Sequence, residues 1–85
     1  MGTELVIIDS ARKRGYADED LLHVIAKAIR VIVQSDGMTM YISPDRAGRI
    51  LEVGTIQRDG REIVAHAMYP ARDKYLAEKP RRRRR

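Results

Sequence analysis

Imidazole and guanidinium side chains in the second half of the chain could cut RNA without a metal ion. Such a reaction needs a group that takes the proton of the 2′-hydroxyl, a group that protonates the leaving oxygen, and cations that balance the charge on phosphorus. Histidine exchanges protons near neutral pH, and arginine binds phosphate through paired hydrogen bonds. We therefore predict Arg49, His66 and Arg72 as the catalytic residues.

Five other side chains are candidate contacts to such a substrate. Lys74 follows Arg72 at the start of the last predicted helix, whose free amides favour an anion. Arg46 lies in a loop from which it can reach a nucleic-acid backbone. The predicted substrate-binding residues are Arg30, Tyr41, Ser43, Arg46 and Lys74.

Structural roles for the same residues remain open. A lone histidine in a strand is more often structural than catalytic, and Arg46 and Arg49 could simply be solvated or paired with Asp45 or Glu52. Glu52 falls among apolar residues, so we expect a buried carboxylate that pairs with Lys13 or Arg14 rather than a catalytic base. The spacing of histidine, aspartate and glutamate predicts no metal site, and no cofactor motif is present.

Helices are predicted on both sides of a strand-rich centre. After an extended lead at residues 5–8, Asp9 or Ser10 can cap a short helix at 11–14, which Gly15 ends. Apolar residues at spacings of three and four predict a second helix at 18–29, with acidic residues in its first turn. Pro70 suits the first turn of a last helix at 71–78.

Between the helices the apolar period changes to two, which predicts four strands at 31–33, 38–42, 50–53 and 63–65. Asp36-Gly37 and Asp59-Gly60 are strong hairpin signals, so the strands should form an antiparallel meander. The predicted fold is α+β, with two N-terminal helices, a four-stranded antiparallel sheet and a short C-terminal helix, in a single domain at 1–78.

The pattern also predicts which side chains share a face of the sheet. If Gln34 opposes Thr39 and Val53 opposes His66, the helices cover an almost wholly apolar face. The opposite face then carries polar groups that suit a ligand: Arg30, Tyr41, Ser43, Arg49 and His66.

The positive charge of the chain is concentrated at its C-terminus. The sequence has 17 basic and 12 acidic side chains, but residues 79–85 hold six of the basic ones. Residues 1–78 are therefore nearly neutral, with 11 basic and 12 acidic groups. We predict that 79–85 is a disordered basic tail, whether native or an addition, that would strengthen nucleic-acid binding without choosing a sequence.

Composition narrows the class of protein further. The chain has no cysteine, no long apolar run and no secretion signal, so we predict a cytoplasmic protein with no membrane contact. It also lacks Phe and Trp, and its four tyrosines are scattered, which argues against a sheet that stacks RNA bases.

Several segments together resemble the small BrnT-like toxins of bacterial toxin–antitoxin pairs, within the RelE and ParE superfamily. The likeness covers roughly residues 8–76, and the segments that carry it are 10–15, 18–23, 42–53, 66–68 and 71–72. It implies helices followed by an antiparallel sheet and a C-terminal helix, cleavage of messenger RNA without a metal, and silencing by an antitoxin protein.

Some positions match the family's pattern and others depart from it. Gly48 and Arg49 match the family's glycine-rich loop and following arginine, and Ala71 and Arg72 match its near-terminal Ala-Arg pair. The usual opening strand with Trp-Asp is missing, and Arg14 stands where a histidine often precedes the glycine.

Two non-catalytic alternatives stay open. Residues 9–29 could form a helix-turn-helix on DNA, although Asp18, Glu19 and Asp20 would then face phosphates. The chain could instead be an interaction protein that docks a partner through its helices, since small domains often need one.

Overall fold

Three helices and five strands make up the part of the chain that the computed structural model describes, residues 4–76. The elements, in chain order, are β1 (Glu4–Ile7), α1 (Asp9–Arg12), α2 (Asp18–Ala26), β2 (Arg30–Val33), β3 (Thr39–Pro44), β4 (Ile50–Arg58), β5 (Arg61–Met68) and α3 (Asp73–Leu76). The predicted α+β class is confirmed. The predicted tail at 79–85 lies outside the described residues.

The sheet has five strands in the order β1-β5-β4-β3-β2, so the predicted four-stranded antiparallel sheet is wrong in part. The strands β2 to β5 do form an antiparallel meander. The predicted extended lead becomes β1, which pairs parallel to β5 with Val6 opposite Ile63. Sequence periodicity identifies a strand but not a partner almost sixty residues away. The connection between the two parallel strands runs through α1, α2 and the strands β2 to β4.

Both N-terminal helices are shorter or shifted relative to the prediction. The first begins at Asp9 and has four residues, and Ser10 Oγ donates to the Ala65 carbonyl of β5 at 2.6 Å. The second ends at Ala26, three residues before the predicted end, and buries Leu21 and Val24. The last helix begins at Asp73 rather than residue 71.

Loop geometry moves two strand registers by one residue. Gln34 and Met38 close a three-residue loop in which Gly37 has a φ of +91°, so Val33 rather than Gln34 opposes Thr39. Asp59 and Gly60 form the predicted two-residue loop, both with positive φ. An irregularity at Gly54/Thr55 then places His66 opposite Gly54 instead of Val53.

The two faces also have the opposite of their predicted roles, because the helices pack on the other side of β3 and β4. The first two helices cover the face that carries Tyr41, Ser43, Leu51 and Val53, which we expected to be open. Glu52 and His66 share the opposite face, because their pairing partners do. A one-residue slip exchanges faces because side chains alternate along a strand.

Each face of the sheet has its own hydrophobic cluster. The cluster under α1 and α2 contains Ala11, Leu21, Val24, Leu51, Val53, Val64 and Ala67. On the other face, Ala71 and Tyr75 pack over Met40 and Ile42. None of the helices in residues 4–76 has the length and apolar character needed to cross a membrane.

Leu51→Ala tests the helix-covered cluster. Leu51 is fully buried, so we expect the free energy of unfolding to fall by about 2–5 kcal/mol, through lost burial and the cavity left behind. Leu22→Ala, a matched change at a partly exposed position on α2, should cost only about 0.5–1 kcal/mol. Urea denaturation measures both, and equal losses would contradict the assigned core.

Candidate functional site

A fully buried carboxylate lies at the centre of the candidate site. The Glu52 side chain on β4 has 0% exposure and bonds to the guanidinium of Arg72 and the imidazole of His66. Arg72 donates to it from Nη2 at 2.7 Å and from Nε at 3.0 Å, and the Arg72 backbone N–H donates at 2.8 Å. His66 Nε2 lies 2.8 Å from Glu52 Oε2. We call these three residues the Glu52 cluster.

The cluster forms where two neighbouring strands meet the segment before α3. Glu52 and His66 project from the same face of β4 and β5, and Ala71 donates its backbone N–H to the Ile50 carbonyl at 3.0 Å. That bond holds the following residue, Arg72, over Glu52. Gly54 leaves room mainly for the Met38 side chain, since a Cβ there would lie 2.5 Å from Met38 Sδ, and it would also lie 3.3 Å from His66 Cβ.

Hydrogen bonding assigns the two ring nitrogens of His66 different roles. A carboxylate only accepts, so the His66 Nε2–H donates to Glu52 and Nδ1 is the acceptor in the neutral ring. No residue in the described range 4–76 bonds to His66 Nδ1 or to Arg72 Nη1. The side chains of His66 and Arg72 are 29% and 43% exposed, so both are partly in contact with solvent.

Electrostatics keeps Glu52 ionised. Burial acts to raise the pKa of Glu52, but hydrogen bonds from the Arg72 side chain, the Arg72 amide and His66 outweigh it and leave the pKa below 4.5, its ordinary value. The hydrogen bond to Glu52 raises the pKa of Arg72, against the opposing effect of burial. The cluster therefore holds a carboxylate and a guanidinium in their charged forms at neutral pH.

Arg49, the third predicted catalytic residue, lies in a different set of contacts. Its Nε donates to Asp45 Oδ2 at 2.7 Å, and its guanidinium carbon lies 5.8 Å from the Tyr16 ring centroid and 5.6 Å from that of Tyr69. Asp45 is buried and also accepts from the backbone N–H groups of Ala47 and Arg49. The structure thus brings His66 and Arg72 together on Glu52 but gives Arg49 separate partners.

Arg46 is held in the same manner. Its Nε donates to Asp20 Oδ1 at 2.8 Å, and Asp20 is largely buried at the start of α2. This bond lowers the pKa of Asp20 and raises that of Arg46, with burial opposing both shifts. Ion pairing with Asp45, which the sequence left open, is therefore what the structure shows for Arg49, whereas Arg46 pairs with Asp20 rather than with Asp45 or Glu52.

The other predicted substrate contacts are dispersed. Ser43 is buried and donates to the Lys27 carbonyl at 2.9 Å, and Tyr41 donates to Glu62 Oε2 at 2.8 Å under the helices, so placing them on an open face was wrong. Arg30 shares the face of the Glu52 cluster and donates to the Tyr75 and Leu76 carbonyls. Lys74 Nζ lies 5.1 Å from the Tyr75 ring centroid.

Sequence reasoning missed the central role of Glu52. It predicted a buried, paired carboxylate, but its partners are Arg72 and His66 rather than Lys13 or Arg14. It also missed Tyr16 and Tyr69 as stacking partners of Arg49. The available signal was an acidic residue in an apolar strand, which requires a cation somewhere but does not say which one.

No protein-family model, curated protein or solved structure matches this chain.

The His66 and Arg72 side chains of the cluster are partly exposed, and the described residues 4–76 contain no pocket. Small-molecule sites are usually concave, whereas nucleic acids bind across exposed, cationic surfaces. The arrangement offers one proton acceptor, His66 Nδ1, next to a guanidinium that an adjacent carboxylate orients. Such a pair can move a proton and bind an anion at one place.

Glu52→Gln tests how the buried charge contributes to stability. The folded-state pKa of Glu52 is below the unfolded value, so its ionised form stabilises the fold above about pH 4.5 and this contribution disappears as the pH falls through the folded-state pKa. We expect the variant to be less stable than the parent at pH 7, with a difference that narrows on acidification. Urea unfolding between pH 7 and pH 3 measures that difference.

Asp9→Asn is the matched control, because the Asp9 side chain is fully exposed. It should change the free energy of unfolding by no more than about 0.5 kcal/mol. A pH-independent gap between the parent and Glu52→Gln would contradict the role assigned to the carboxylate.

Proposed function

We propose that this protein is a metal-independent endoribonuclease that cuts messenger RNA at the Glu52 cluster. The observation that carries the proposal is the bond between His66 Nε2 and the buried Glu52 carboxylate, which leaves Nδ1 as a solvent-accessible proton acceptor beside Arg72. A carboxylate that fixes the tautomer of a histidine and stabilises its charged form is a common arrangement for general-base catalysis.

The proposed reaction is an internal phosphoryl transfer. His66 Nδ1 takes the proton of the 2′-hydroxyl, and the 2′ oxygen then forms a bond to phosphorus while the bond to the 5′ oxygen breaks. The 5′ oxygen takes a proton from water, and His66 returns its proton to solvent. The products are a 2′,3′-cyclic phosphate and a 5′-hydroxyl end.

Arg72 supplies the charge stabilisation in this scheme. Nε and Nη2 are bound to Glu52, which holds the guanidinium plane and directs the remaining Nη1 group to the phosphate. Arg49 and Arg46 pair with Asp45 and Asp20 and keep about half of each side chain exposed, and in this proposal they bind the RNA backbone outside the Glu52 cluster. In this proposal Arg49 positions the substrate rather than taking part in the chemistry.

The toxin role rests on the resemblance of residues 8–76 to BrnT-like toxins. The α+β class and the order of helices, antiparallel strands and a last helix support it, and so does the position of Arg72 in the cluster. The partner in this proposal is a cognate antitoxin protein, and the site of action is the bacterial cytoplasm.

His66→Gln separates catalysis from folding. The glutamine amide can still donate to Glu52, so we expect the thermal midpoint to change by only a few degrees. RNA cleavage should fall by about 10²–10⁴-fold, because the amide cannot take a proton. The measurement is cleavage of defined RNA, with and without ribosomes and with a chelator present, together with growth after induction.

His23→Gln on α2 is the matched control and should keep full activity. Retained cleavage in His66→Gln would contradict the proposed base. The absence of both cleavage and growth inhibition in the parent chain would overturn the ribonuclease assignment as a whole.

Arg49→Gln tests the proposed contact between Arg49 and the RNA backbone. If Arg49 binds RNA without taking part in the chemistry, the KM should rise several-fold while kcat stays within about twofold of the parent value. Arg58→Gln at the far end of β4 removes the same charge at an exposed position and should change neither. A fall in kcat equal to the fall in kcat/KM would show instead that Arg49 takes part in the chemical step.

A further inference from the structure

The strand β2 lies at an edge of the sheet and exposes apolar side chains. Within residues 4–76 its one neighbouring strand is β3, so its other side is unpaired. Ile29, Val31 and Val33 lie at alternate positions along this edge, with exposures of 72%, 53% and 78%. These three residues, which we call the edge stripe, form a row beyond the reach of α2, which ends at Ala26.

The backbone of this edge is available for strand pairing. The Gln34 backbone N–H donates to the Met38 carbonyl, so Gln34 is at a hydrogen-bonded position of the β2–β3 pair. Ile32 and Arg30, two and four residues earlier, are at hydrogen-bonded positions as well, opposite Met40 and Ile42. Because bonded and non-bonded residues alternate in antiparallel pairs, the N–H and C=O groups of Val31 and Val33 point away from β3. The same two residues therefore offer backbone bonds and apolar side chains.

Edge strands of soluble proteins are usually protected from such pairing. Lysine, proline, bulges and inward-pointing charges are the common devices. None of these interrupts residues 30–33, whose one charged side chain, Arg30, is directed to the Tyr75 and Leu76 carbonyls. An uninterrupted apolar edge of this kind marks an interaction surface.

The remaining residues of the chain do not have the composition to cover this stripe. The segment that follows α3, residues 77–85, contains Ala77 and Pro80 as its only uncharged side chains. Residues 1–3 precede β1, at the opposite edge of the sheet. Neither segment therefore offers the run of apolar residues that would match the edge stripe.

Charge along the edge favours a second copy in the antiparallel direction. Lys27 precedes β2, and Asp36 lies in the turn that follows it, so the edge has a basic start and an acidic end. Two copies related by a two-fold axis place the basic start of one beside the acidic end of the other. Opposite charges across paired strands stabilise the pairing, and a parallel arrangement would align like charges.

We infer that β2 is a dimerisation strand, which pairs antiparallel with β2 of a second copy so that Val31 of each chain opposes Val33 of the other. Ile32 then lies on the two-fold axis, and the two sheets join into one of ten strands. Both valines use their outward N–H and C=O groups and bury their side chains against each other. Interfaces of this small size, below about 1,200 Å², form weak and reversible dimers.

The oligomeric state of the full chain tests the inference. Sedimentation at moderate salt, which screens repulsion between two copies of net charge +5, should show a mass that rises from one chain to two with concentration. Val33→Lys should remain a monomer throughout, whereas Leu22→Lys, the same change on α2, should follow the parent. A parent chain that stays monomeric, or equal loss in both variants, would overturn the inference and leave the edge to a different partner.

Single cysteines test the register, since the chain has no cysteine of its own. Directly opposed residues of a non-hydrogen-bonded antiparallel pair have Cα atoms about 4.5 Å apart, within the range for a disulfide. Ile32→Cys should therefore form a covalent dimer rapidly on mild oxidation. Val33→Cys should do so much more slowly, because Val33 of one chain opposes Val31 of the other and lies two positions away from the second Val33. The reverse order would overturn the proposed register.

The dimer does not depend on the proposed ribonuclease activity. The Glu52 cluster lies on β4 and β5, separated from the β2 edge by β3. A chain that dimerises without cutting RNA would overturn the proposed function alone, and a monomer that cuts RNA would overturn the edge assignment alone.

Discussion

Burial of the Glu52 carboxylate constrains the rest of the structure. A charge removed from water is stable only when it is paired and fully hydrogen-bonded, so β4 cannot bury Glu52 unless cations reach it. A hydrogen-bond donor comes from the adjacent strand through His66, and the cation is Arg72, twenty residues further along the chain. The carboxylate therefore connects β4, β5 and the segment that leads into α3.

The position of the C-terminal helix follows from this connection. Once Arg72 is bound, Ala71 meets Ile50, and Tyr75 packs over Met40 and Ile42 on the face that α1 and α2 leave uncovered. Arg30 of β2 completes the attachment by donating to the Tyr75 carbonyl. A helix of only four residues would not be stable alone, and these contacts account for its presence.

Buried carboxylates also pair with partly exposed arginines at two other places, and this pairing explains the charge balance of the domain. Asp45 and Asp20 are buried, and each orients an arginine whose other side faces solvent. Nearly equal numbers of acidic and basic groups in residues 1–78 are thus compatible with local cationic sites, because three of the acids, Asp20, Asp45 and Glu52, are buried beneath guanidinium groups. In this domain the placement of the charges matters more than their sum.

The sequence by itself determined the α+β class, the meander of β2 to β5, the Asp59-Gly60 hairpin and the need for a buried partner to Glu52. These features depend on local periodicity, on turn residues and on the cost of burying a charge, all of which act over a few residues. Tertiary structure decided the fifth strand, the partners of Glu52 and the face on which the site lies. Each of these depends on contacts between distant residues, or on a one-residue change of register at Gly37 and Gly54, which local patterns do not specify.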